Sequence, residues 1–546
     1  MKFNKLAISS LAIASLFSLT ACSKSSSSSS KAASADKQKL NWMEEAELST
    51  IDGSKILDDT SFNQVNQVME GLYTLGNNAK VKNALATKTT VSKDKKTWTF
   101  TLRKNAKWSN GDAVTAKDFV FSWRRTVNPK TASEYSYLFS GIKNADAIVA
   151  GKKKPAALGV KAVGKYKLVV SLEQPIPYFK LLMAFPLFFP QNESAVKEYG
   201  SKYGTASKYM VYNGPFVHKG WTGSNLSWKL VKNQNYWDKK HVKLQTINYS
   251  VQKSPSTSYN LYQANKLDGA ILDAQASKQL QKSTGYTVRK LASTQYLQFN
   301  IKKYKKFNNA DLRRGISMAI NRSALSKTLG ATYEAATTFT SSGLTTVGGQ
   351  DFTKLATGKA GKTYTTYNKS LAKKYFEKGL KEAGISKLSF TLLSTDDDTS
   401  KKLAEFVQSQ LETNLGSKVS VKVQSIPSKT KLNRVLAGNF ECTLSGWIAD
   451  YADPISFLDC ETTGNSYNYG KWSNKEYDKL IAASKKASGT ARMKLLAQAE
   501  KVLMAEQGVT PLVQSNKAWM VKGKVKGIIY NSAGVCYNFK YAYIAK

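Results

Sequence analysis

Trp98-Thr-Phe-Thr-Leu-Arg-Lys-Asn-Ala-Lys-Trp-Ser-Asn-Gly-Asp-Ala-Val-Thr-Ala-Lys-Asp-Phe-Val-Phe-Ser-Trp123 carries two structural periods in succession. From Thr97 to Leu102, threonines alternate with Trp98, Phe100 and Leu102, which predicts a strand with one buried face. Asn110-Gly111-Asp112 predicts a turn. Thr115 followed by Asp118 has the spacing of a capping box and so predicts a helix start. Phe119, Trp123 and Val127 form its apolar stripe, and Pro129 ends it. A strand handed through a turn to a capped amphipathic helix is an α/β building block.

The same alternation recurs along the chain. Leu312, Ile316, Ala319 and Ile320 mark one helix; Leu403, Phe406, Val407 and Leu411 mark another, stopped at Gly416. Val419, Val421 and Val423 alternate as a strand. Leu495, Leu496, Ala499, Val502 and Leu503 mark a late helix ending at Gly508, with a strand over Val509 to Val513. Asp351 to Ser370, polar and glycine-containing, reads as a long surface loop. There is no internal repeat.

The amino terminus reads as an address. Lys2 and Lys5 precede an apolar stretch, Leu6 to Leu19, too short to span a bilayer and matching a secretory signal. Leu19-Thr20-Ala21-Cys22 resembles the lipobox of bacterial lipoproteins, which implies a signal peptide over 1–21 and a lipid on Cys22. Residues 22–35 form a serine-rich tether that cannot bury a core. About 510 residues remain, enough for two or three lobes.

Composition narrows the function. The formal charge is +43, but the lysines are spread along the chain and only 9 residues are arginine, the usual reader of phosphates and bases. Nucleic acid is therefore not an expected partner. With Cys22 lipidated, Cys442, Cys460 and Cys536 remain, and a Cys442–Cys460 bridge is left open. Only 2 histidines are present, far from the cysteines in sequence, so no metal site and no cofactor are expected. No protease, hydrolase or phosphate-loop motif occurs; Gly361-Lys362-Thr363 has Ala356 where a Walker loop needs glycine. Binding is favoured over catalysis.

The 98–123 stretch, continued through Asn128-Pro129-Lys-Thr-Ala-Ser-Glu-Tyr135, closely resembles the characteristic segment of extracellular solute-binding proteins of the oligopeptide/dipeptide class, which serve ABC importers. Tyr212-Asn-Gly-Pro-Phe216, Tyr296-Leu-Gln-Phe-Asn300 and Gly446-Trp-Ile-Ala-Asp-Tyr-Ala-Asp-Pro454 resemble further family segments in the family's order. The resemblance implies an α/β, two-lobed periplasmic-binding-protein-like fold with an extra domain, a ligand cleft between the lobes and a two-strand hinge. It implies lobe I over 36–70, 196–298 and 516–546, the extra domain over 71–195, and lobe II over 299–515. The hinge is expected near Gln295–Asn300 and Pro511–Gln514.

By the same resemblance the chain is a monomeric, non-enzymatic capture protein. It would take oligopeptides at the outer face of a cell membrane, that of a Gram-positive bacterium, and pass them to the transmembrane permease subunits of an ABC importer. Asp450 is implied as the carboxylate for the peptide ammonium, the alternative being that it organises its own turn. Gly446 is implied to offer backbone to an added peptide strand, and Trp447 and Tyr135 to flank it, the alternative being that these rings are core aromatics. Tyr212, Asn213 and Gly214 are implied as a cleft-lining turn, and Asp58 to Ser61 as a loosely matched cleft segment. Asp453, before proline, reads as structural. The arginine that meets the peptide carboxylate in short-peptide binders is missing, since Leu444 and Ser445 precede Gly446; Arg434 is a substitute candidate. Binding of a different solute or a signal peptide, or an envelope peptidase or hydrolase, remain as alternatives.

Overall fold

The Thr97–Leu102 strand forms as its alternation predicts, with Phe100 and Leu102 buried, between antiparallel strands Ala86–Val91 and Lys167–Ser171. Val160–Ala162 completes a four-stranded antiparallel sheet. The helix that follows runs Ala116–Val127. The Asp118 carboxylate accepts from the Thr115 N–H at 2.7 Å and from its hydroxyl at 3.0 Å, so the cap works as its spacing suggests. Phe119, Trp123 and Val127 are buried, and the Trp123 indole donates to the Phe188 carbonyl at 2.9 Å. Arg125, on the same helix, grips Asp52 through two guanidinium nitrogens at 2.7 and 2.6 Å, tying this sheet–helix unit to the segment that leads into the earlier helix Asp59–Val68.

The computed structural model describes residues 38–545. The signal segment 1–21, Cys22 and the tether 22–35 lie outside the described residues. Among the described residues, no helix is long and apolar enough to cross a membrane.

The first lobe is assembled from distant pieces of chain. Lys39–Glu44 pairs in parallel with Thr246–Val251, which continues antiparallel to Ser227–Lys232 and then Phe216–Lys219. A second sheet orders Gly269–Ile271, Lys517–Val521 and Tyr286–Arg289, all antiparallel. Trp42 of the first sheet stacks on Trp519 of the second at 5.1 Å between centroids. The apolar faces of both sheets thus share one core, which is why the lobe closes although its sequence is discontinuous.

The second lobe is one six-stranded mixed sheet in the order 333–335, 510–515, 293–299, 442–448, 388–395, 419–426. The parallel pair Leu388–Thr395 and Val419–Ile426 is joined by the crossover helix Asp398–Leu415, which Gly416 ends with φ +70. Helices Ala310–Ala319 and Gly489–Glu506 also form near their expected positions.

Two sequence expectations change, and one question the sequence left open is answered. Asp351 to Ser370 is not a loop: it holds helices Phe352–Ala356 and Lys359–Thr365 and the start of Lys369–Glu382. Asp351 and Asn368 cap the first and third of these, and Phe352, Ala356 and Gly361 are buried. A Cβ at Gly361 would meet Met504 at 3.1 Å, so close packing on the Gly489–Glu506 helix overrides a weak local propensity. The residues expected as hinge, Gln295–Asn300 and Pro511–Gln514, lie within adjacent strands of the lobe II sheet. The chain passes between lobes one step earlier and later, at 290–292 and at Asn516, where the Leu291 N–H donates to Asn516 Oδ1 at 3.1 Å. Finally, Cys442, Cys460 and Cys536 are free and buried, so the Cys442–Cys460 bridge does not form.

Candidate functional site

Where the two lobes and the extra sheet–helix unit meet, they enclose a cavity of about 320 Å³. Lobe I contributes Asp58, Asp59 and Phe62 from the start of the Asp59–Val68 helix, together with Lys517. Tyr135 and Phe185 come from the extra unit, and lobe II contributes Lys431, Tyr467, Tyr469 and the run Ser445 to Asp450.

The run Ser445 to Asp450 owes its position to an incomplete sheet. Cys442–Ile448 pairs along its whole length with Ser293–Phe299, but on its other side Leu388–Thr395 pairs only with Cys442 and Thr443. Beyond Thr443 that edge is open. The Ala449 N–H points to the paired side, donating to Ala292 O at 2.9 Å, while the Leu444 carbonyl points to the open side and accepts from Lys431. Alternation then directs the amides of Gly446 and Ile448 into the cavity. Gly446 leaves room for the Gln295 side chain: a Cβ would stand 2.7 Å from its amide, which would have to shift.

Asp450 ends the run. It is buried, with only 7% of its surface exposed, and no cation lies within ion-pair distance among the described residues. Its side-chain contacts are a long one from Tyr135 Oη at 3.4 Å and another from Ser456 Oγ at 3.4 Å. Burial therefore pushes its pKa well above the ordinary carboxylate value. Asp453, three residues on, contrasts with it: both its oxygens are held by Arg492 at 2.8 and 2.9 Å, the structural part its sequence context predicts. A buried carboxylate kept without its cation is costly. Tyr135 and Trp447 stack at 6.2 Å, with Tyr467 edge-on to both, at 4.8 and 4.9 Å respectively. They form an aromatic wall beside the open strand edge.

The structure does not bring every expected residue here. Tyr212, Asn213 and Gly214 do not line the cavity. Asn213 bridges the Glu70 N–H and C=O, both at 3.0 Å, the Tyr212 hydroxyl donates to Ser207 O, and the Gly214 N–H donates to Val68 O. A Cβ at Gly214 would sit 2.5 Å from the Val68–Met69 backbone. The turn is a clamp on the end of the Asp59–Val68 helix and a seam to Ser109 of the extra unit, whose amide donates to the Tyr212 carbonyl at 2.6 Å. Arg434 also faces away, donating to Gln424 Oε1 and Asn439 O. One turn earlier on the same helix stands Lys431, which does line the cavity. Burial lowers its pKa to about 8. Lys431, Lys517, Tyr467 and Tyr469 carry no motif, so only their meeting in space reveals them.

Residues 80–469 match the family described as bacterial extracellular solute-binding proteins, family 5, middle. The chain belongs to this family. The resemblance carried by residues 98–135 is thus borne out, and a solute-binding protein, not an enzyme, is what the cleft serves. The dipeptide-binding protein of Lactococcus lactis subsp. cremoris (strain MG1363) is 37% identical over 529 residues, covering 93% of this chain and 95% of the relative. Among solved structures, Listeria monocytogenes OppA bound to peptide superposes with a TM-score of 0.89 at 39% identity, covering 93% of this chain and 99% of that one. The murein tripeptide-binding protein MppA of Escherichia coli supplies an internal ruler. One of its structures gives a TM-score of 0.85 (29% identity, 94% and 99% coverage), whereas its unliganded open form gives 0.61 (30% identity, 94% and 98% coverage). The drop at constant sequence distance separates lobe arrangement from lobe fold, and the present structure departs from the open arrangement.

Contacts across the cleft agree. Lys253 of lobe I bonds Glu47 of its own lobe at 2.6 Å and Asp396 of lobe II at 3.0 Å. Gln174 donates to Lys485 O at 2.8 Å, and Tyr178 stacks on Tyr451 at 4.9 Å.

Proposed function

We propose that this protein is the substrate-binding component of an ABC importer that captures extracellular oligopeptides by their shared features. Asp450 pairs with the peptide ammonium, Gly446 and Ile448 hold the peptide as an added strand, and Lys431 meets a carboxylate at the far end of that edge. The single observation that carries this reading is Asp450: a buried carboxylate without a cation, at the end of an unpaired strand edge. Trp447 and Tyr135 flank the peptide without reading its side chains closely. Binding of both its charged ends and its backbone is what lets one cleft accept many sequences, with water filling unmatched pockets.

The lipobox-like Leu19 to Cys22 supports a lipid anchor on Cys22. With the serine-rich tether it would hold a monomeric capture protein on the outer face of a Gram-positive membrane. There it stays at high effective concentration near its permease, to which the closed form delivers the peptide. Mass spectrometry of what co-purifies with the protein tests the ligand class: a set of peptides with scattered sequences is expected, and a single non-peptide solute would overturn the reading. Mass analysis of Cys22 in membranes from the native host, against a Cys22→Ser chain released into the medium, tests the anchor.

A further inference from the structure

A second chamber, of about 640 Å³, lies on lobe I beside the cleft. Asp59, Leu291 and Lys517 line both, so the two spaces adjoin. The chamber sits at the Asp450 end. Ser532 in its wall accepts from the Ala292 N–H at 2.7 Å, Ala292 O accepts from Ala449, and the Gly534 N–H donates to Ala449 O at 2.7 Å, one residue from Asp450.

This chamber contains a cation with no anion. Arg289 stands directly opposite Lys517 in the antiparallel register, a like-charge pairing that destabilises a sheet. Lys517 is answered by Glu45. Arg289 is not: no carboxylate among the described residues lies within ion-pair distance of it, and its Nε is buried without a hydrogen-bond partner. Its guanidinium rests on the Tyr530 ring and lies 5.8 Å from the Trp519 ring. Stacking of this kind engages the face of the guanidinium and leaves the buried Nε–H unmet. The Tyr530 hydroxyl, in the same wall, is also buried and without a partner. The neighbouring acids do not answer Arg289. Burial raises the pKa of Glu44 to about 8 and that of Asp59 to about 6, and the cation that acts on Asp59 is Lys517.

We propose that this chamber is a subsite for a carboxylate on the side chain of one of the first two residues of the bound peptide, received by Arg289 and the Tyr530 hydroxyl. The position follows from the chamber's place at the ammonium end, and so the inference rests on the orientation proposed above. The chemistry follows from two unmet donors, one of them a fixed positive charge.

Calorimetry on the whole chain tests it with Ala-Ala-Ala, with Glu or Gln at position one, two or three of the same tripeptide, and with Arg289→Gln and Arg289→Lys variants. At position one or two, glutamate should bind about tenfold or more tightly than glutamine. The preference should vanish in Arg289→Gln and persist in part in Arg289→Lys, while tri-alanine affinity stays unchanged. Equal binding of Glu and Gln by the parent protein at both positions overturns the proposal without any variant. So does a preference confined to position three, or one that survives Arg289→Gln. If tri-alanine binds but no acid preference appears, only the chamber is misassigned. If tri-alanine does not bind, the peptide reading falls and this inference with it.

Discussion

Replacing Asp450 by asparagine is the sharpest perturbation of the cleft. Asp450 makes only two long side-chain hydrogen bonds, at 3.4 Å, and has no cationic partner among the described residues. Its pKa is raised by burial, so at neutral pH the ionised form opposes folding of the closed, ligand-free protein, and removing the charge should leave thermal stability unchanged or higher. Removing one partner of a buried charge pair costs about 2–5 kcal/mol, which is about thirtyfold to several thousandfold in affinity. Calorimetry of free and N-acetylated peptide against parent and variant closes a double-mutant cycle. Acetylation should weaken binding to the parent by that amount and to Asp450→Asn hardly at all. If acetylation costs the variant as much as the parent, the ammonium is not at Asp450. The same shift makes binding acid-sensitive: affinity should fall as pH drops and the carboxyl protonates, in the parent but not in the variant.

Lys431→Met should lose about tenfold in affinity for peptides with a free carboxylate and none for their C-terminal amides, measured by the same titrations. Equal losses for both would place the carboxylate elsewhere. Lys253→Ala removes the Glu47 and Asp396 contacts across the cleft; since these groups are partly exposed, the change should be about 1 kcal/mol or less. It should show as a larger radius of gyration in small-angle scattering and a faster peptide off-rate, and scattering identical to the parent's would remove the latch. His218 is buried, with its pKa depressed to about 3. A histidine kept neutral in the fold gains its proton first in the unfolded chain, so stability is lost as pH falls from about 6.5 towards 3, by about 3 kcal/mol at pH 4. Urea unfolding at pH 7 and pH 4 should show His218→Gln losing less across that interval than the parent.

The local elements were legible because they rest on local physics. The 97–102 alternation, the Thr115–Asp118 cap and the glycine stop at Gly416 each involve residues close in sequence, and each forms as read. The 351–370 stretch was not legible, because its helices depend on packing against a helix more than a hundred residues away. The family resemblance singles out Asp450, Gly446, Trp447 and Tyr135, and the fold brings all four to one cavity. The Tyr212 turn is singled out too, but it clamps the backbone at Val68–Glu70 and does not line the cavity. A tight turn shows its geometry in sequence, yet not which surface it serves.

Sequence alone therefore determined the locally specified secondary elements and the family, since these depend on short-range pattern and composition. Tertiary structure decided which charges lack partners. Whether Asp450 and Arg289 stand alone while Asp453 and Lys517 are paired depends on residues brought together from far along the chain. A charge's worth is set by burial and by its neighbours in space, and neither can be read from its neighbours in sequence.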